Sequence, residues 1–562
     1  MSSQTSSRTP SMLDAACDSF VQDLAELSPT EATAWGIPGF DDQLEDFSPE
    51  HWEKVAERTR EMLADVDALD DEADDDDISE DDGDDDGGFD DVDHVTAAVL
   101  RDRLTLQLEL HHNGEFLRQL NNIASPVQTI RDTFSLMPTE TEEDIATIRA
   151  RMAHIPAALA GYRESLAEAA SQGKCAAVRQ LNEVIEQCTD LADSQHSALL
   201  SFGVPADAPE LVAAARAFEE MGDWLAEHLC SHAPHEDAVG RERYELFSQE
   251  FVGDRVDLDE AYEWGLAELQ RITAEQEAIA QQLYGEGVGV RDAFARLNAE
   301  ERYRIEGVDN LQAWMQETAD RAIADLDGTH FDIPEKIRTI ECCIDPAGTG
   351  GIFYTPPSDD FQRLGRMWWS VPQGQNTFHT WQELTTVFHE GVPGHHLQIG
   401  QTMCNREQLN RWRRVACWNS GHGEGWALYA EQLMAELGYH EDPGTRMGLL
   451  DAQRLRAARV VLDIGVHLQK RIPEGTSTWD APYARAFLRE NTAMDDANLN
   501  FELNRYLGWP GQAPSYALGQ KLWMELRSDA QAAGMSLPDF HREALSLGSI
   551  PMSVLRSALL DS

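Results

Sequence analysis

The chain has 562 residues, with 101 Asp and Glu against 44 Lys and Arg, for a formal net charge of −57. A nucleic-acid groove needs concentrated positive charge and an anionic membrane surface repels a chain of this sign, so both partners are excluded. With 42% hydrophobic residues and 14 Trp there is material for a large core, which excludes a wholly disordered chain.

Residues 1–10 are polar and are expected to be disordered. From Met12 onward apolar residues recur at helical spacing, with Trp35 and Trp52 as anchors. Residues 70–93 form a low-complexity acidic stretch, expected to be a solvated loop inserted into an N-terminal helical region, residues 11–330. Its segment GDDDGGFDD places oxygen ligands near glycines, but lacks the closing Glu of an EF-hand loop, so the calcium reading is weak. Leu100, Leu104 and Leu108, then Ile145, Ile148, Met152 and Ile155, continue the helical period. Near Lys336 the character changes. KIRTIECCI, GGIFYTPP and RMWWSVP read as short strands, with Cys342, Cys343, Trp368 and Trp369 as core residues. Helical spacing returns near Thr380. Residues 331–562 are expected to be the catalytic, metal-binding region, packed on the first as one continuous unit.

The acidity extends well beyond the insertion. Residues 65–93 hold 18 acidic and no basic residues, yet the rest of the chain still carries −39. Arg outnumbers Lys 39 to 5. Together these features resemble cytosolic proteins of extreme halophiles and point to a halophilic archaeon. The physical basis is screening, since the Debye length falls from roughly 10 Å at about 0.1 M salt to about 3 Å near 1 M. Eight Cys without a CxxC pair make neither a disulfide scaffold nor the usual cysteine zinc site. The sequence has no apolar run of roughly 18–20 residues, and its start has no basic-then-apolar leader pattern, so a cytoplasmic location is expected.

The segment TWQELTTVFHEGVPGHHLQIG carries the chemistry. Zinc hydrolases often place two His at i and i+4 on a helix, with an intervening Glu to activate water. Here His389 and His395 are six apart. On an unbroken helix they would lie about 240° apart in angle and about 9 Å apart along the axis. His396 returns to the same face, but about 10.5 Å along. A break is therefore required, and Pro393-Gly394 supplies it, because Pro removes a helix hydrogen bond and Gly allows unusual backbone angles. His389 and His395 are the expected metal ligands, with His396 as the alternative to His395, and Glu390 is the expected general base.

HEGVPGHHLQ followed by EGWALYAE resembles the bacterial and archaeal domain-of-unknown-function family 885 (DUF885), grouped with zincin-type metallopeptidases. FYTPP upstream, then RVVLDIGVH and RYLGWPGQAPSY downstream, follow in the same order, so the resemblance covers about residues 350–519. It implies a mainly α, multi-helix zincin-like (gluzincin-like) metallohydrolase fold, with a small antiparallel β element before the metal-binding helix.

A catalytic zinc takes three protein ligands, and Glu424 in GHGEGWALYAEQL is the best third candidate, with His422 as a competitor or local cap. Glu431 shares the Glu424 face and could orient a ligand His. Arg459, Asp463 and His467 fall at i, i+4 and i+8 on one helix face. The resemblance turns this ordinary ion-pair stripe into site candidates: His467 for the oxyanion or for substrate, Asp463 to set a His tautomer. From the last motif come Arg505, Tyr506, Gln512 and Tyr516. Either Tyr could stabilise an oxyanion, and either Arg459 or Arg505 could clamp a substrate carboxylate. Tyr354 of FYTPP could line the cleft.

The expected activity is a zinc-dependent hydrolase holding one Zn2+, with Mn2+ or Co2+ also compatible with the ligands. The expected substrate is a small peptide or amide, cleaved in a carboxypeptidase-like or oligopeptidase-like mode. The competing readings are hydrolysis of a non-peptide amide or ester, and a non-catalytic helical binding protein with a structural metal. Oligomeric state does not follow from the sequence. One prediction follows from composition alone: dialysis into low salt abolishes the helical circular dichroism, and a melting curve unchanged between about 0.1 M and about 3 M KCl contradicts it.

Overall fold

The computed structural model describes residues 8–76, 89–345, 351–358, 361–372, 374–473 and 475–561. It is mainly helical, and its chain divides into two compact units. The first comprises residues 1–238, 410–416 and 501–509, and the second comprises residues 239–409, 417–500 and 510–562. The units part between Ala238 and Val239, far earlier than the change of character near residue 336, and two later segments belong to the first unit. The expected boundary at 330 followed strand composition, whereas the division lies in the connection between helices Pro209–His228 and Arg241–Val252.

Among its described residues the first unit holds helices joined by loops and no strand. Its core gathers Phe134, Tyr162, Leu181, Phe218 and Met221, all essentially inaccessible. Helix starts carry reciprocal caps: Ser11 with Asp14 before Met12–Leu27, and Asp90 with Asp93 before Asp91–His112. Arg8 bonds Asp14, Asp90 and Asp93, so residues 8–10 are held in place rather than loose, while residues 1–7 lie outside the described residues. The acidic stretch is likewise not a loop from end to end. Helix Pro49–Asp76 runs into it and helix Asp91–His112 begins within it. Residues 77–88, with most of GDDDGGFDD, lie outside the described residues.

The second unit contains all five strands of the described residues. β1 (Arg304–Glu306) pairs antiparallel with β5 (Thr377–His379). β2 (Ile340–Asp345), β3 (Ile352–Thr355) and β4 (Gly365–Ser370) form a sheet in the order β2-β4-β3. β3 and β4 are antiparallel but β2 and β4 are parallel, so the expected antiparallel element is in fact mixed. The chain passes β4's place before returning to fill it, and a hairpin reading of consecutive strands misses that. Period-two alternation splits the expected core pairs: Cys342 and Trp369 are buried while Cys343 and Trp368 are half-buried.

Helix Pro443–His467 is the spine of this unit. Every residue from Arg459 to His467 is buried, so the helix is covered all round over its last two turns. Small residues let backbones close on it and around it. At Gly448 a Cβ would collide with the Trp381 carbonyl of helix Thr380–Glu390. Helices Ser420–Glu436 and Ser515–Ala532 cross at Gly421, Gly425 and Gly519, where a Cβ on Gly519 would strike the Gly421 carbonyl oxygen. The obstacle is backbone, so it cannot swing away. Gly519→Ala should destabilise the protein by about 1–3 kcal/mol in urea unfolding, and an unchanged midpoint contradicts the close crossing.

Candidate metal centre

The break expected at Pro393-Gly394 is present. One helix spans Thr380–Glu390 and the next spans His395–Cys404, with four residues turning between them. Gly391 and Gly394 both leave helical angles, with ψ −133° and −132°. A Cβ on Gly394 would collide with the carbonyl oxygens of Phe388 and His389, so only glycine lets the second helix start this close to the first. The indole N–H of Trp426 donates to the Pro393 carbonyl at 2.8 Å and pins the turn.

The turn brings His389 and His395 face to edge, with ring centroids 4.8 Å apart and planes at 88°. Glu424, on helix Ser420–Glu436, points its Oε2 between them, 3.4 Å from His389 Nε2 and 3.6 Å from His395 Nε2. One donor atom from each of the three lies within 4.8 Å of the others. Two imidazoles and a carboxylate so placed match the ligand set of a catalytic zinc site. Asn419 caps the Glu424 helix by accepting from the His422 N–H at 3.0 Å. The His422 ring instead packs edge-on against Trp523, so Glu424 and not His422 lies with the two histidines, and Asn419 is the cap.

His396 is not the alternative ligand. Its Nε2 bonds the Ile337 carbonyl at 2.8 Å and its Nδ1 pairs with the Tyr354 hydroxyl at 2.9 Å. A carbonyl only accepts, so Nε2 carries the proton and Tyr354 donates to Nδ1. Burial pushes His396 down to about 4, consistent with this neutral form. Tyr354 therefore ties β3 to the second helix through His396.

Glu431, two turns beyond Glu424 on the same helix, accepts from His389 Nδ1 at 2.8 Å, as the shared face implied. Thr385, one turn before His389, donates to the other Glu431 oxygen. Sequence reading passed over Thr385, although its i−4 spacing from His389 was visible. Without a cation, burial opposes charge on His389, but hydrogen bonds to Glu424 and Glu431 outweigh it and raise the imidazole to about 10. Burial also raises Glu390, against the pull of His389 and His395. Glu390 is 6% exposed and its Oε2 has no hydrogen-bond partner among the described residues.

Asp463 accepts from the Tyr244 hydroxyl at 2.6 Å and from the Gly511 N–H at 2.8 Å, with His467 Nε2 3.8 Å away. The Tyr244 ring stacks on His467 at 5.6 Å. Tyr244 lies 219 residues before Asp463 and nothing in its local sequence marks it. Arg459 is buried, its guanidinium 5.0 Å above the Tyr516 ring. The Gln512 carbonyl accepts from the Ser515 hydroxyl at the start of the last motif's helix. Arg505 and Tyr506 belong to the first unit, where Arg505 pairs with Glu502 at 3.2 Å and the Tyr506 hydroxyl donates to Glu502.

Residues 29–559 match the family described as "Bacterial protein of unknown function (DUF885)", and the chain belongs to that family. No curated protein matches it. Its fold is shared with a candidate lipoprotein from Colwellia psychrerythraea (TM-score 0.81, 22% identity, 97% of this chain and 98% of that one). It is shared too with a candidate lipoprotein of unknown function from Shewanella oneidensis (TM-score 0.72, 17% identity, 98% and 100%). Pyrococcus furiosus carboxypeptidase matches at 11% identity with a TM-score of 0.38, over 99% of this chain and 97% of that one, which is too slight to carry an argument. Among the described residues no helix is long and apolar enough to cross a membrane.

The proton on His389 gives the centre a pH signature. A cation at Nε2 must displace that proton, so uptake of zinc near neutral pH should release protons, and affinity should rise about tenfold per pH unit per proton released, until His389 loses its proton near pH 10. Calorimetry in buffers of different ionisation enthalpy measures the release. A pH-independent affinity contradicts the protonated free state.

Proposed function

We propose that the protein is a metal-dependent hydrolase of zincin type, with zinc the first choice of metal and small peptides or amides the substrates. What carries this reading is the unpartnered, buried Glu390 oxygen beside three ligand donors. A structural zinc site is normally closed by four protein ligands, whereas three plus a carboxylate base is a catalytic arrangement.

His389, His395 and Glu424 would hold the ion, which would supply Lewis acidity to water and to the scissile carbonyl. Glu390 takes a proton from the attacking water as the oxygen–carbon bond forms. It gives that proton to the amine as the carbon–nitrogen bond breaks. Its raised proton affinity suits both steps, because burial makes the carboxylate a stronger base than an exposed one. Glu431 keeps the His389 ring oriented with its Nδ1 proton directed away from the ligand edge. His467 and Tyr516, in the same unit as the ligands, are the proposed oxyanion donors, and Arg459 the proposed receptor for a substrate carboxylate. A salt-rich cytoplasm is proposed as the setting on composition alone.

Glu390→Gln should keep its zinc and lose about 10²–10⁴-fold in turnover on short peptides. Retained turnover in the zinc-replete variant contradicts the role of Glu390. Running free and blocked C-termini side by side tests Arg459, since a carboxylate receptor confines activity to the free ends.

A further inference from the structure

Gln398 is the fourth residue of helix His395–Cys404, three places after His395, and its N–H bonds the Gly394 carbonyl at 3.1 Å. Its side chain lies within a residue only 1% exposed, yet neither Oε1 nor Nε2 has a hydrogen-bond partner among the described residues. His395 Nδ1 is in the same condition. Buried polar atoms in folded proteins are paired, directly or through ordered water, and these three sit on two residues three apart on one helix, so one partner can serve all of them.

Helical residues three apart are neighbours, roughly 5–6 Å between Cβ atoms, and helical side chains lean toward the N-terminus. Gln398 therefore leans over the turn that carries His395. His395 directs Nε2 toward Glu424, which leaves Nδ1 on the opposite edge of the ring. The other two histidines of the motif have their Nδ1 atoms bonded, His389 to Glu431 and His396 to Tyr354. A buried water commonly makes about three hydrogen bonds, the number of atoms that Gln398 and His395 present. Resting on the metal-site reading above, we infer that Gln398 is a positioning residue that fixes the His395 ring through one bridging water, as Glu431 fixes His389 directly. An amide suits this place. It accepts the Nδ1 proton through the water without adding a negative charge to a centre that already holds Glu390, Glu424 and Glu431.

The test compares wild type with Gln398→Met, an apolar chain of similar length, Gln398→Leu as a second apolar variant, and Gln398→Glu, which keeps the acceptor. Zinc affinity is read by competition with a chelator, stability of the zinc-free protein by urea unfolding, and the His395 tautomer by 15N NMR of labelled histidines. Expected are a 10–100-fold weaker zinc affinity in the apolar variants, no loss of zinc-free stability, and a changed His395 tautomer ratio, with affinity within a few-fold of wild type in Gln398→Glu. Apolar variants that bind zinc as tightly as wild type, or weaken only as far as the fold itself weakens, overturn the inference. A wild type that takes up no zinc overturns the metal reading instead, and an unchanged tautomer in the apolar variants then overturns this one on its own.

Discussion

Everything at the candidate centre depends on the interruption between two helices at residues 391–394. Six residues of unbroken helix would turn His395 away from His389 and carry it about 9 Å along the axis. Two glycines and a proline end the first helix and restart the second within four residues, so that both imidazoles meet. The closeness is possible only because Gly394 has no side chain to strike the preceding carbonyls. A side chain there would strike the carbonyls of Phe388 and His389 and push the second helix off the first.

Helix Ser420–Glu436 completes what the break begins. Its Glu424 reaches both Nε2 atoms, and its Glu431, on the same face, holds the far nitrogen of His389. That single helix is itself set against helix Ser515–Ala532 by Gly425 and Gly519, where a Cβ on either would strike the other helix's backbone. The centre is thus a consequence of backbone contact at several points where a methyl group would not fit. Charge is the second constraint. The buried carboxylates of Glu390 and Glu431 and the half-buried one of Glu424 surround two imidazoles, and hydrogen bonds to Glu424 and Glu431 favour the charged form of His389.

What was legible in the sequence was local. The spacing of His389 and His395 exposed a geometric problem, and Pro393-Gly394 was its visible solution. Glu431 followed from the helix face it shares with Glu424, and the family from motifs in fixed order. What was hidden depends on contacts between distant segments. The parallel pairing of β2 with β4 has no signature in either strand. Tyr354's partnership with His396, which occupies the His396 ring, spans 42 residues. Tyr244 reaches Asp463 across 219. The division into units at Ala238–Val239 falls in the short connection between helices Pro209–His228 and Arg241–Val252, where Pro234 and Gly240 mark a break that many other inter-helix connections of the chain share.

The central claim is that His389, His395 and Glu424 form one cation site. Its most direct test is the metal content of purified protein, by inductively coupled plasma mass spectrometry, for wild type, His389→Ala and Glu424→Ala. Expected is about one zinc per wild-type chain and little in either folded variant. Equal zinc in all three would contradict the site.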